Sequence, residues 1–351
     1  MQKRVFRVGI TRDIRRSDGL LSFAPVVSRL ELLDVPGVAC DFLPEDRRPL
    51  TPDLLEGLDG LYHFSSQVTA ASLDGVDRLV LLARHGVGLD FVDLAACTER
   101  AIAVTITPDG VTRPMASAAA TLVLALAHRL PERDRALHRG DWGDGRFAPI
   151  GTALTGRTLG LVGYGRIGRE LVRLLASWRP RVAVTTRHTL DEGGVEWLPL
   201  DDLLATADIV VVACPLTEET RGLIDARRLG LMKPGALLVN IARGGIVDQA
   251  ALVTALREGH LAGAGVDVVD PEPLPADDPL LSLPNVIGAP HSLGYTDELV
   301  RGCVEHACEA LLTVARGEVP GNVANPAVLE DARFKEKLAR LARREQRAGR
   351  R

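Results

Sequence analysis

The sequence predicts an α/β protein built on two parallel sheets, each wound with helices on both faces. Three observations predict it. Short apolar runs recur at 5–10, 38–43, 58–64, 79–83 and 102–106, and again at 158–162, 182–185, 209–213, 236–240, 264–268 and 286–289. Such runs, bounded by polar residues but with little alternation inside, read as strands covered on both faces. Helical spacing falls between several of them, as at 26–33, 89–100 and 166–178, which is the βαβ order of a parallel sheet. The third observation is Gly163-Tyr164-Gly165-Arg166-Ile167-Gly168, which follows one strand and opens a helical pattern.

The chain of 351 residues, 46% of them hydrophobic, is long enough for two domains with real cores. A net charge of −4 gives no electrostatic case for a nucleic-acid or membrane partner. Five scattered cysteines without a CxxC pair fit reduced thiols better than a disulfide framework. Cys303, His306 and Cys308 match no usual zinc spacing, so no metal is expected. Residues 1–6 run into a strand with no signal-peptide core, and the apolar stretch 115–127 is too short to span a bilayer. A cytoplasmic protein is the expectation.

Residues 115–130 are expected to form one helix, opened by Pro114 and closed before Pro131. Its surface is apolar nearly all round, which predicts burial between domains or subunits. Residues 298–314 read as a further helix, and 320–323 as the close of the compact part. The segment 331–351, rich in Arg and Lys, reads as a basic tail that is a solvated helix or a disordered end.

Gly163-x-Gly165-x-x-Gly168, in its strand-to-helix setting, is the pattern of a Rossmann dinucleotide site: a tight turn, close approach of pyrophosphate, and a helix N-terminus aimed at it. Other polar residues fall at strand ends, where open α/β sheets gather their ligands. Cys214-Pro215 follows 209–213, Arg243 follows 236–240, Asp267 ends 264–268, and Pro290-His291 follows 286–289. Taken singly, Arg243 suits an ion pair with Asp248, His291 a satisfied histidine beside a helix, and Glu272 a solvent-facing loop acid. Together they make a set for interconverting 2-oxo and 2-hydroxy acids. The arginine fork holds a carboxylate, the imidazole moves a proton, and the acid orients the imidazole.

The chain resembles the D-isomer-specific 2-hydroxyacid dehydrogenase family over about residues 1 to 328. The motifs that carry the resemblance are Gly86-Val87-Gly88-Leu89-Asp90, the Gly163 fingerprint, Pro215-Leu216-Thr217-Glu218-Glu219-Thr220, Asn240 to Gly245, Gly265-Val266-Asp267-Val268 with Pro271-Glu272-Pro273, and Pro290-His291. The resemblance implies a catalytic triad of Arg243, Glu272 and His291, and a Val87–Gly88 loop whose amides receive the substrate carboxylate. It implies that Arg166, Ile167, Cys214, Ala242 and Asp267 touch the dinucleotide. It also implies a Rossmann cofactor domain over 113–294 and a flavodoxin-like, discontinuous substrate domain over 1–112 and 295–330, with a homodimer built on the 115–130 helix.

The sequence departs from the family pattern at Phe91, Ile106 and Ser117, and places an extra arginine, Arg113, before Pro114. Arg113 is a candidate for reading a second polar or anionic group on the substrate, and the loops at 62–66 and 85–87 are where side-chain selectivity is expected. At the second strand end of the cofactor domain, where an acid would select NAD, the chain has Thr186 and Arg187, then His188, with no acid before Asp191. This predicts preference for NADP(H), with NAD(H) as the second cofactor. Two rival readings are a dinucleotide-sensing, corepressor-like homologue and a formate-dehydrogenase-like enzyme; the presence of Arg243, Glu272 and His291 together argues against both.

Overall fold

The computed structural model describes residues 5–14, 29–143, 150–187 and 193–348. It divides into two compact units, one of Met1–Val111 with Thr296–Arg351 and one of Thr112–Tyr295.

In the first unit the described strands form a five-stranded parallel sheet: β1 (Phe6–Ile10), β2 (Val38–Phe42), β3 (Gly60–His63), β4 (Leu81–Arg84) and β5 (Ala103–Thr105), in the order β2-β1-β3-β4-β5. Alternate residues of each strand feed opposite cores, as the two-residue period of a strand requires. Leu81 and Ala83 pack on one face with Phe6, Val8 and Ile10, and Leu82 on the other with Leu54, Leu55 and Leu61. The chain leaves β1 toward β2 and returns on the other side at β3, so the order of the sheet reverses between β1 and β3.

In the second unit the described strands form a seven-stranded parallel sheet in the order β12-β11-β10-β9-β6-β7-β8. They are β6 (Thr158–Val162), β7 (Arg181–Thr185), β8 (Glu196–Trp197), β9 (Ile209–Val212), β10 (Ala236–Asn240), β11 (Leu261–Val266) and β12 (Val286–Gly288). Leu237 and Val239 face one core, Ala236 and Leu238 the other. Here the order reverses between β6 and β9.

Helices α1 (Pro52–Leu55) and α2 (Leu94–Glu99) precede a long helix, α3 (Pro108–Ala127). This helix starts a turn and more before the expected 115, so Pro114 lies inside it. Pro108, with φ set by its ring, is the proline that opens the helix, while Pro114 lies inside it and forgoes a backbone hydrogen bond there. The helix stops at Ala127 because Arg129 adopts a left-handed conformation (φ 51°), and Pro131 then opens α4 (Leu130–His138). At 20 residues and a mean hydropathy of 1.3, α3 is long and apolar enough by length and composition alone to cross a membrane. Burial of 61% of that window within the fold accounts for its apolar character as that of a core helix.

Farther along lie α5 (Arg166–Leu175), α6 (Leu200–Thr206), α7 (Ala226–Leu231), α8 (Gln249–Arg257), α9 (Asp297–Ala315) and α10 (Ala332–Ala348). The last corrects the reading of the basic tail. Its composition is that of a solvated helix, yet Phe334, Leu338 and Leu341 recur at helical spacing and are buried in the first unit with Val304, Ala307 and Leu311 of α9. Lys337, between them, donates to the carbonyls of Leu79 (2.8 Å), Arg100 (3.1 Å) and Ala101 (3.2 Å). Burial pushes its ammonium down to about 8. Phe334 is 1% exposed. Phe334→Ala is therefore expected to cost about 3–5 kcal/mol, read as a lower urea midpoint; an unchanged midpoint would return this helix to the status of a solvated tail.

Candidate functional site

The second unit assembles two neighbouring constellations at the carboxyl ends of its strands. The first is the glycine turn between β6 and α5. Gly163 has φ 98°, and a side chain there would meet Cys214 N at 2.6 Å and the Ala213 carbonyl group at 2.8 Å. Only glycine lets this turn lie against the end of β9, the point where the strand order reverses. At Gly168 an added Cβ would come within 3.0 Å of the Gly163 carbonyl, so this glycine seats the helix on its strand. Gly165 differs from both: nothing lies within 4 Å of the position a Cβ would take. It and Arg166 are exposed at the N-terminus of α5, and Ile167 is half-buried. Bare backbone at a helix start, on a ten-residue helix, fits the pyrophosphate of a dinucleotide.

Around this turn Cys214 is half-buried and Pro215 exposed, while Ala242 is buried. Burial raises the Cys214 thiol, so it stays a neutral thiol rather than an anion facing phosphate. Thr186 and the exposed Arg187 follow directly on β7. Across from them Glu219 takes a hydrogen bond from Thr217 Oγ1 at 2.5 Å. That bond first, and the charge of Arg187 among lesser causes, hold Glu219 below the usual carboxylate range. His188 and Asp191, read at this same strand end, lie outside the described residues.

The second constellation spans the ends of β10, β11 and β12. Asn240, 3% exposed, folds the turn after β10: its amide nitrogen donates to the Arg243 carbonyl (2.9 Å) and its oxygen accepts from Ala242 N (3.1 Å). Arg243 is half-buried, and its Nη1 donates to the Ala242 carbonyl at 2.6 Å. Gly244 lies flat on the next turn, since a Cβ would sit 1.9 Å from the Val269 oxygen. Asp248 caps α8, its Oδ1 accepting from Ala251 N at 3.0 Å.

His291 and Glu272 meet directly, Nδ1 to Oε2 at 2.9 Å, with Glu272 Oε1 accepting from Val269 N at 3.2 Å. Burial alone would raise the Glu272 pKa, but the hydrogen bond and charge of His291, with smaller help from Val269 N and Arg243, bring it below the ordinary value. Arg243, Glu272 and His291 are thus brought together as the sequence suggested. Asp267, expected to touch the dinucleotide, directly follows β11. It is 1% exposed, and its Oδ1 accepts from the amides of Ser292 and Leu293, both at 2.9 Å. Its backbone oxygen accepts from His291 N at 2.8 Å. It braces the turn that carries His291, which adopts φ 51°.

In the first unit the loop after β4 carries Val87 and Gly88. Thr107 Oγ1 accepts from Gly86 N at 2.8 Å, and the buried Arg84 donates to the carbonyls of Gly88 (2.8 Å) and His85 (3.1 Å). Gly86 has φ 112°, a conformation that favours glycine. Among the described residues the Val87 and Gly88 amides have no protein acceptor, which leaves them open to an anion. Arg113, a sequence candidate for the substrate, pairs through Nη1 with Glu170 at 2.7 Å, an acid it shares with Arg173. Sequence reasoning passed over Asn240 as the organiser of its turn, and Arg84. The signal was present in both, as a polar residue closing an otherwise apolar run.

Three comparisons bear on this arrangement. The family description "D-isomer specific 2-hydroxyacid dehydrogenase, NAD binding domain" matches residues 120–292. A glyoxylate reductase of Thermococcus onnurineus is 41% identical over 274 residues, covering 76% of this chain and 82% of that one. A D-3-phosphoglycerate dehydrogenase of Methanocaldococcus jannaschii is 36% identical over 265 residues, 74% of this chain and 50% of that one. Among solved structures, an NADPH-dependent glyoxylate/hydroxypyruvate reductase of Sinorhizobium meliloti superposes with a TM-score of 0.77 at 29% identity, covering 91% of this chain and 98% of that one.

The His291–Glu272 pair carries a pH signature. A carboxylate whose pKa falls on folding stabilises the protein above its unfolded value of about 4.3, and that contribution is lost as pH falls through the folded value. Glu272→Gln is expected to lower Tm by about 1–3 °C at pH 7, since the pair is partly exposed. The difference from the parent should vanish near pH 3, as followed by thermal melts at both pH values.

Proposed function

The chain belongs to the D-isomer-specific 2-hydroxyacid dehydrogenase family, and from that premise we propose that Arg243, Glu272 and His291 carry its chemistry. The protein is an oxidoreductase that transfers a hydride between a nicotinamide cofactor and a 2-oxo or 2-hydroxy acid. The observation that carries the residue assignment is the 2.9 Å contact between His291 Nδ1 and Glu272 Oε2. Glu272 fixes the ring through Nδ1 and leaves Nε2 to exchange a proton with the oxygen on substrate C2. Arg243, in a planar fork held by the Asn240 turn, takes the substrate carboxylate. The open amides of Val87 and Gly88 suit the same carboxylate chemistry. When bound, the nicotinamide supplies or accepts the hydride, and the backbone at Gly165 and Arg166 with the N-terminus of α5 holds its pyrophosphate. Glyoxylate and hydroxypyruvate, named for the relatives above, are the first acids to assay. Leu130, Leu137 and Trp142, 56%, 58% and 68% exposed beside α3, supply apolar surface for a homodimer.

His291→Ala is expected to lower kcat by roughly 10²- to 10⁴-fold, the scale of lost general acid–base catalysis. Arg243→Ala should raise KM and lower kcat together, because the clamp both binds and positions. Steady-state kinetics on one 2-oxo acid checks both, and a His291→Ala enzyme with near-normal turnover would remove His291 from the mechanism.

NADP(H) is the preferred cofactor in this reading. Thr186 and Arg187 occupy the strand end where an acid would accept the ribose 2′-hydroxyl and repel a 2′-phosphate. Arg187 can make a charge-assisted hydrogen bond to that phosphate, about twice as strong as a neutral one. Glu219 competes for the same guanidinium and tempers the preference. The kcat/KM ratio for NADPH over NADH is expected to exceed one, and to invert in the double variant Thr186→Asp with Arg187→Ala. A clear NADH preference in the parent enzyme would contradict the assignment.

A further inference from the structure

Glu272 stands on the loop between β11 and β12, and one side chain of α8 is bonded to that loop at two points. Gln249, the half-buried first residue of α8, accepts through Oε1 from Asp270 N at 3.2 Å and donates through Nε2 to Asp278 Oδ2 at 3.0 Å. One contact precedes Glu272 in the chain and the other follows it. A backbone N–H can only donate and a carboxylate only accept, so the partners dictate which way the amide faces.

The groups at both ends of this link are themselves held. Asp248, which caps the helix beneath Gln249, donates through its own N to the Ile224 carbonyl at 3.0 Å. Asp278 Oδ1 accepts from Leu280 N at 2.8 Å, so each oxygen of that carboxylate has a donor. The apolar residues of the loop, Val269, Leu274 and Leu280, pack in one core with Leu252 and Leu256 of α8. Apolar packing is non-directional and seats the loop on the helix. The amide adds direction, because its two bonds have fixed donors and acceptors.

The contact at Asp270 holds the Val269–Asp270 peptide, and that peptide borders the proposed chemistry. Val269 N donates to Glu272 Oε1 at 3.2 Å, one of the smaller contributions that hold this acid below the ordinary carboxylate range against its burial. Gly244, next to Arg243, lies flat on the same peptide: a Cβ there would sit 2.0 Å from the Val269 carbonyl carbon and 2.7 Å from Asp270 N. A peptide group is planar, so a bond to Asp270 N fixes the tilt of the whole unit and with it the place of Val269.

We propose that Gln249 is a positioning residue for the reaction: by joining Asp270 to Asp278 it holds Glu272 where Oε2 meets His291 Nδ1. It acts through Glu272 and not on the substrate. The inference rests on the role given to Glu272 above.

The experiment exchanges donor and acceptor. Gln249→Glu keeps an acceptor for Asp270 N but sets two carboxylates against each other at Asp278. Adding Asp278→Asn restores a donor there, while the remaining oxygen still serves Leu280 N. With glyoxylate and NADPH, kcat is expected to fall about tenfold in Gln249→Glu, with KM for glyoxylate changed by less than about threefold. The double variant Gln249→Glu with Asp278→Asn should return to within about threefold of the parent kcat. In a Glu272→Gln background, itself slowed by about tenfold or more, Gln249→Glu should lower kcat by less than about twofold, because residues acting as one unit are not additive. A merely structural link would slow both backgrounds in equal proportion, and that result would overturn the inference. So would a Gln249→Glu enzyme with the parent kcat beside a slowed Glu272→Gln enzyme. The parent kcat in Glu272→Gln would instead remove Glu272 from the mechanism, and the inference with it.

Discussion

The candidate site depends on one buried carboxylate. Asp267 lies almost fully out of water, where burial raises its pKa against two amide hydrogen bonds that favour the charge. Those bonds, from Ser292 and Leu293, and the bond from His291 N to its own carbonyl, tie the turn after β12 to the end of β11. Asp267 N in turn donates to the Asn240 carbonyl at 3.0 Å, which ties β11 to the turn that presents Arg243. The left-handed backbone of His291 is held from both sides by this one residue.

Parallel pairing explains why such residues can meet at all. In a doubly wound sheet the carboxyl ends of successive strands come to one edge, although the strands themselves are apolar through their length. The cores on the two faces of each sheet set the register, because sliding a strand by one residue would exchange Leu237 and Val239 with Ala236 and Leu238. Register then fixes where each polar residue emerges: Asn240 and Asp267 just past the last core layer, His291 one turn beyond.

Much of this was legible in the sequence. The apolar runs marked the long strands, because a strand buried on two faces has no polar alternation to confuse it. The glycine spacing marked the turn between β6 and α5, since Gly163 must lie against the end of β9 and Gly168 against the Gly163 carbonyl. The short strand β8 was not legible: two residues, Glu196 and Trp197, carry no periodicity. Pro114 misled because a proline that opens one helix and a proline tolerated within another look alike without the preceding turn. The C-terminal helix was masked by its charge, as three apolar residues at helical spacing are enough to bury one face.

The central claim is direct hydride transfer between nicotinamide C4 and substrate C2, with His291 moving the proton. It is tested most directly by running the reaction with NADPH deuterated at C4 on the transferred face and analysing the 2-hydroxy acid formed. The account predicts one deuterium on C2 of a D-configured product, with the hydroxyl proton drawn from solvent. A product carrying no deuterium at C2 would contradict it, and so would one of the opposite configuration.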